Sequence, residues 1–248
     1  MICPKCQHEP QEHDRDTMAG VCPACGIAYA KWQPEDFQDG IPPEAELPES
    51  KETLSRRIYY YVFFMPSDRD ESAFWGHLVI YVWFFIWGWR FILAGIDWTV
   101  IGDSFLHYVN LPFHEYGHIF FRPFGDVWML MGGSLFQIMV PLAPLAYFMI
   151  WQRDNFAASL MLWWCGQNFI DVAPYVADAP TRYLPLISGI DESHDWWNVL
   201  NMTGTMEHAQ TFASIFFFSG VLVMILSQCW GALLLYIEAK GRIAKPEL

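Results

Sequence analysis

Apolar positions are distributed very unevenly along the chain. Up to residue 72 charged and polar residues interrupt every short apolar stretch, whereas from Ala73 onward apolar runs of membrane-spanning length follow one another. About 20 consecutive apolar residues are needed for a helix to cross a bilayer. On that scale Ala73–Ile96 is a first span, Ile101–Phe121 a second, Val127–Gln152 a third without a single charge, Asn155–Ala179 a fourth, and Ala209–Ile237 a long uncharged fifth. The pattern predicts an all-α polytopic membrane protein with about five transmembrane helices. The second and fourth spans, with one span between them, are expected to run parallel.

Breaks in these runs carry information of their own. Pro112 either starts a new helix capped by Asn110 or kinks a continuous one, and Pro174 is expected to break the fourth span between Asp171 and Asp178. Gly132 and Gly133 open the third span, where they either let two backbones approach closely or interrupt the helix. His77 reads as a polar interface residue, and His107, two turns before His114, as a supporting or interface residue. The acidic stretch Asp191–Asp195 reads as a solvated loop, with Trp196 and Trp197 as interface anchors.

Composition strengthens the membrane assignment and separates the chain into parts. Of 248 residues 54% are hydrophobic and 18% aromatic. Residues 1–72 hold 14 of the 27 acidic and 7 of the 14 basic side chains, leaving the rest nearly bare of charge. A net charge of −13 argues against nucleic acid as a partner. No basic n-region precedes a short apolar run at the start, so no cleavable signal peptide is expected. Three parts follow: residues 1–32, residues 33–72 as an acidic proline-rich linker ending in the short interfacial run Ile58–Pro66, and residues 73–248 as the membrane domain.

Within the first part, Cys3-Pro4-Lys5-Cys6 and Cys22-Pro23-Ala24-Cys25 form two C-P-x-C knuckles. Four thiolates at this spacing point to a small N-terminal four-cysteine zinc ribbon, a closed tetrahedral and therefore structural site. So few residues cannot build a core, and the metal would supply the folding free energy. Persistent thiolates imply a reducing compartment. Arg56, Arg57 and Arg69 before the first span agree with a cytoplasmic N-terminus. Lys240, Arg242 and Lys245 after the fifth span favour the cytoplasm too, which five spans do not allow, so the C-terminal side stays open.

The chemistry concentrates in Leu111-Pro112-Phe113-His114-Glu115-Tyr116-Gly117-His118. On a helix His114 and His118 share one face, where two imidazoles can hold one Zn²⁺. Glu115 projects beside them and is the candidate general base for a water acidified by the metal. Charged groups in a membrane are costly unless paired or metal-bound, which makes an H-E-x-x-H string among phenylalanines a functional candidate. Asp171 and Asp178, seven residues apart on one face of the fourth span, need a reason for the same cause.

These residues resemble the site-2 protease family of intramembrane zinc metalloproteases over about residues 73–180. The resemblance implies that His114 and His118 are ligands of a catalytic zinc, that Glu115 is the base, and that a later aspartate completes the site. Asn168, Pro174 and Asp178-Ala179 match the family's second motif loosely. They make Asp178 the expected third ligand, Asp171 the alternate, and Asn168 a contact for the substrate backbone. It further implies an integral protein of the bacterial inner membrane with one catalytic and one structural Zn²⁺, hydrolysing peptide bonds of transmembrane protein substrates in the lipid bilayer. The ribbon would be an addition, available for docking a protein partner. A catalytically inactive membrane scaffold that binds helices or partner proteins is the alternative. A di-iron oxygenase would require more histidines than the chain offers.

Overall fold

The computed structural model describes residues 2–3, 8–9, 21–22, 24, 61–64 and 71–243. The chain divides into two compact units, Met1–Glu52 and Thr53–Leu248. In the first, Cys3 and Cys22 are buried and the Cys3 amide donates to the His8 carbonyl at 3.0 Å. Cys6 and Cys25 lie outside the described residues, as does nearly all of the expected linker.

The described part of the second unit is helical. A helix α1 (Glu71–Ala94) is followed by a short α2 (Trp98–Gly102), α3 (Phe105–Phe121), a 3-10 turn (Arg122–Phe124), α4 (Asp126–Met139), α5 (Leu142–Tyr147) and a π-helical turn (Phe148–Gln152). Then come α6 (Asn155–Asp178), α7 (Asp195–Thr203) and α8 (Ala209–Ile243). Three stretches are long and apolar enough to cross a membrane: Glu71–Ala94, Asp126–Gln152 and Met206–Gly241. The other two expected spans fall short of that description for a reason that matters. α3 has 17 residues, and both α3 and α6 turn polar side chains towards the interior.

Capping explains where the helices begin. Asp97 starts α2 by accepting from the Thr99 amide at 2.8 Å, and Ser104 starts α3 by accepting from the Leu106 amide at 3.3 Å. Pro112 therefore sits inside a continuous helix, and Asn110 is no cap; it is buried against α6. Pro174 likewise fails to break α6, which continues to Asp178. A proline removes one backbone donor, and the dense packing around α6 holds the helix across that gap.

The helices α3 and α4 touch backbone to backbone. A Cβ on Gly117 would collide with the Gly132 carbonyl oxygen, and one on Gly132 would sit 2.7 Å from the Gly117 oxygen. The glycine pair thus serves close approach, and α4 runs through it uninterrupted. The side chains of α3 and α6 interlock, His107 meeting Asp171, Asn110 meeting Gln167, Phe113 meeting Trp164 and His114 meeting Tyr175. The chain between them is not one straight helix. α4 stops at Met139, Pro141 and Pro144 follow, and Arg153 adopts a left-handed conformation before α6.

Elsewhere α6 is the core of the unit. Trp163, Ile170, Ala173 and Val176 on it are almost fully buried, packed with Phe91 of α1 and with Ala213, Phe217 and Met224 of α8. Outward-facing Trp75, Val79, Trp83 and Ile86 give α1 an exposed apolar surface suited to lipid. His77 at the start of α1 pairs with Glu238 of α8 at 3.0 Å and lies against the Phe156 ring.

Candidate metal centre

Helical spacing brings the His114 and His118 rings to one face of α3, with centroids 5.0 Å apart. Each ring is held from behind. His114 Nδ1 meets Gln137 Oε1 at 2.8 Å, and His118 Nδ1 meets the Met129 carbonyl oxygen at 2.8 Å. Both oxygens can only accept, so each Nδ1 carries a proton and donates it. That leaves each Nε2 facing the opposite way with a lone pair or a second proton.

Both Nε2 atoms face a single carboxylate oxygen. Asp195 Oδ2 lies 3.1 Å from His114 Nε2 and 3.4 Å from His118 Nε2. The three side chains offer ligand atoms within 4.8 Å of one another. Burial works to raise the Asp195 carboxyl pKa, but the two histidine nitrogens outweigh it and hold the carboxyl well below its usual range. The group is therefore an anion at neutral pH. Where it meets two imidazole nitrogens, positive charge is required, supplied either by protons or by one divalent cation.

Room for an ion is made by a missing side chain. A Cβ on Gly133 of α4 would collide with His114 Nε2 and would sit 2.7 Å from His118 Nε2. Only glycine leaves the ligand atoms clear.

The third member of the cluster arrives from far along the chain and is positioned by several contacts. The Asp195 amide donates to the Tyr175 hydroxyl at 2.9 Å, and that hydroxyl donates to Asp195 Oδ2 at 3.1 Å. Trp196 then ties α7 to α4 by donating to Ser134 Oγ at 3.0 Å. His194 caps α7, its Nδ1 accepting from the Trp197 amide at 3.2 Å. Burial lowers the His194 pKa despite the nearby carboxylates of Asp178 and Asp195, which suits a neutral ring in that capping role.

Glu115 lines the same cavity, of about 410 Å³, as His114, His118, Tyr175 and Asp195. Among the described residues no hydrogen bond holds its carboxylate, so it is available to the cavity. Leu184, Pro185, Leu186 and Ile187 add an apolar wall to its lining.

The two aspartates expected as ligands lie elsewhere. Asp178 accepts from the Tyr183 and Leu184 amides, both at 3.0 Å, and from the Thr181 hydroxyl at 2.7 Å; its Oδ2 is 3.5 Å from His194 Nε2. It anchors the turn after α6, and through His194 it supports the helix that starts with Asp195. Asp171 bonds to His107 at 2.9 Å, Asn110 at 3.0 Å and Gln137 at 3.2 Å. Asn168 is fully buried, donating to the Trp164 carbonyl at 3.0 Å and accepting from Gln137 at 3.3 Å, and it does not face the cavity as a substrate contact would. The carboxylate beside the histidines is Asp195, which the sequence pattern assigned to a solvated loop. Its one local signal is the run His194-Asp195-Trp196-Trp197, an acid at the first turn of a helix whose tryptophan is buried.

No protein-family model matches the chain, and no curated protein or solved structure matches it.

Proposed function

We propose that this chain is a membrane-embedded zinc metalloprotease. His114 Nε2, His118 Nε2 and Asp195 Oδ2 would hold the ion, and Glu115 is the general base. The observation that carries the proposal is the convergence of two imidazole nitrogens, both anchored at Nδ1, on one carboxylate oxygen under a glycine. Two imidazoles and a carboxylate are a donor set suited to zinc, and they leave a fourth position open. A bound zinc would supply Lewis acidity, polarising a carbonyl and making water acidic enough to deprotonate near neutral pH.

The chain's own groups do the rest. Glu115 takes a proton from the attacking water at its carboxylate and passes it to the departing amide nitrogen, so that the carbon–oxygen bond forms as the carbon–nitrogen bond breaks. The apolar wall at Leu184–Ile187 favours an apolar, locally unwound segment of a membrane-spanning substrate, because an intact helix has no free amide to offer. The H-E-x-x-H likeness to the site-2 proteases supports the same reaction class. On this proposal the four-cysteine ribbon holds a second, structural zinc.

Zinc per purified chain is the test. The expected result is about two ions in the wild type, falling by one in His114→Ala and by one in Cys3→Ser/Cys6→Ser. Glu115→Gln should keep both ions and lose cleavage of a transmembrane reporter peptide by about 10²- to 10⁴-fold. A single ion, lost only in the cysteine variant, overturns the metal centre. Undiminished cleavage with Glu115→Gln overturns the protease.

A further inference from the structure

Asp171 is a buried carboxylate that stays out of the His114–His118–Asp195 cluster, yet it is two hydrogen bonds away from it. We infer that Asp171 is a positioning residue for the metal, acting through Gln137 to fix which nitrogen of His114 faces the ion. The inference rests on the zinc site proposed above.

The direction of each bond is forced from one end of a chain to the other. The Trp164 carbonyl can only accept, so the Asn168 group bonded to it is the Nδ2 amine, and Asn168 presents Oδ1 to Gln137. On the other side, the Asp171 carboxylate also can only accept, and its Oδ2 lies 3.2 Å from Gln137 Nε2. Both neighbours therefore demand the amine of Gln137, which fixes the amide with Oε1 towards His114. His114 then holds its proton on Nδ1, and Nε2 is left as the nitrogen for the metal.

Asp171 is itself locked in place. Its Oδ1 faces His107 Nδ1 at 2.9 Å, and Oδ2 also accepts from Asn110 Nδ2, which bonds to Gln167 Oε1 as well. These contacts leave the carboxylate little freedom to turn away from Gln137.

The consequence of an isosteric change follows. In Asp171→Asn an oxygen retained towards His107 leaves an amine towards Gln137, donor against donor. Relief comes from turning the Gln137 amide over, which sets its amine against His114 Nδ1. The histidine proton then moves to Nε2, where it blocks the metal. Adding Gln137→Glu restores an acceptor both for the new amide at position 171 and for His114, at unchanged total charge. The contacts with Asn168 Oδ1 and with Asn110 Nδ2 are left unrepaired.

The experiment measures zinc affinity of the full chain in detergent by chelator competition, counting the ion that His114→Ala loses. Asp171→Asn should weaken that affinity by about 10- to 100-fold. Asp171→Asn/Gln137→Glu should recover at least half of the loss on a logarithmic scale. Imidazole ¹⁵N shifts of the metal-free protein should show a protonated His114 Nδ1 in the wild type and an unprotonated Nδ1 in Asp171→Asn. Affinity of Asp171→Asn within about threefold of wild type overturns the inference, since supporting contacts of this kind carry at least about tenfold. Failure of the double variant to recover, failure to fold included, overturns it equally. A wild type without the His114-dependent ion overturns the zinc site itself, a separate result.

Discussion

Gly133→Ala asks the most direct question of the metal centre. The added methyl would sit 2.7 Å from His118 Nε2 and would collide with His114 Nε2. An ordinary contact to such a carbon is at least 3.4 Å. Relief at His118 therefore needs about 0.7 Å of movement, against a tolerance of about 0.2 Å on zinc–ligand bonds of about 2.0–2.1 Å. The rings cannot retreat, because both are anchored at Nδ1 by Gln137 and Met129. Withdrawing α4 would in turn open its close backbone contact with α3 at Gly117 and Gly132. Loss of at least one ligand should weaken zinc binding by about 100-fold or more, equivalent to about 2.7 kcal/mol at about 1.36 kcal/mol per decade. The overpacked helix pair should lose about 1–3 kcal/mol of stability at the same time. Chelator competition and a thermal melt read the two effects separately. Gly76→Ala serves as the control, since a Cβ there meets nothing within 4 Å. Zinc affinity of Gly133→Ala within about threefold of wild type would refute the reasoning, because a methyl between the ligand nitrogens costs far more than that if an ion binds there.

Three further outcomes are expected. Asp195→Ala should remove one zinc from each chain, whereas Asp178→Ala should keep both and instead loosen the turn at Thr181–Leu184, seen as faster amide exchange of Tyr183 and Leu184; an Asp178→Ala protein short of one zinc would return the ligand role to that residue. Tyr175→Phe deletes the hydroxyl that bonds both the amide and the carboxylate of Asp195, and should lower zinc affinity about tenfold with little effect on thermal stability. Removing zinc with a chelator should abolish reporter cleavage in the wild type and zinc should restore it, whereas Glu115→Gln should stay inactive after the same treatment.

What could be read from the sequence was local. Helical spacing alone puts His114, Glu115 and His118 on one stretch of α3, and the glycine pair of α4 announces a close approach without saying to what. The third carboxylate could not be found that way, because Asp195 is 81 residues beyond His114 and reaches it only after α6 has turned back through α7. A family template placed the ligand on the fourth apolar run instead, where Asp178 and Asp171 both look out of place. Their explanation is non-local too: Asp178 pins a turn, and Asp171 faces a histidine and two amide side chains on neighbouring helices. Each of the three aspartates has a reason to be there, and the reason differs in each case by what the chain brings against it. The same logic separates α3 and α6 from the three stretches that are long and apolar enough to cross a membrane: Asn110, Gln167 and Asp171 make them two halves of one polar seam. Hydrogen bonds buried in that seam hold its side chains in fixed orientations. Helices that carry such a seam have to meet each other, and they give up the uniform apolar surface by which a span is recognised.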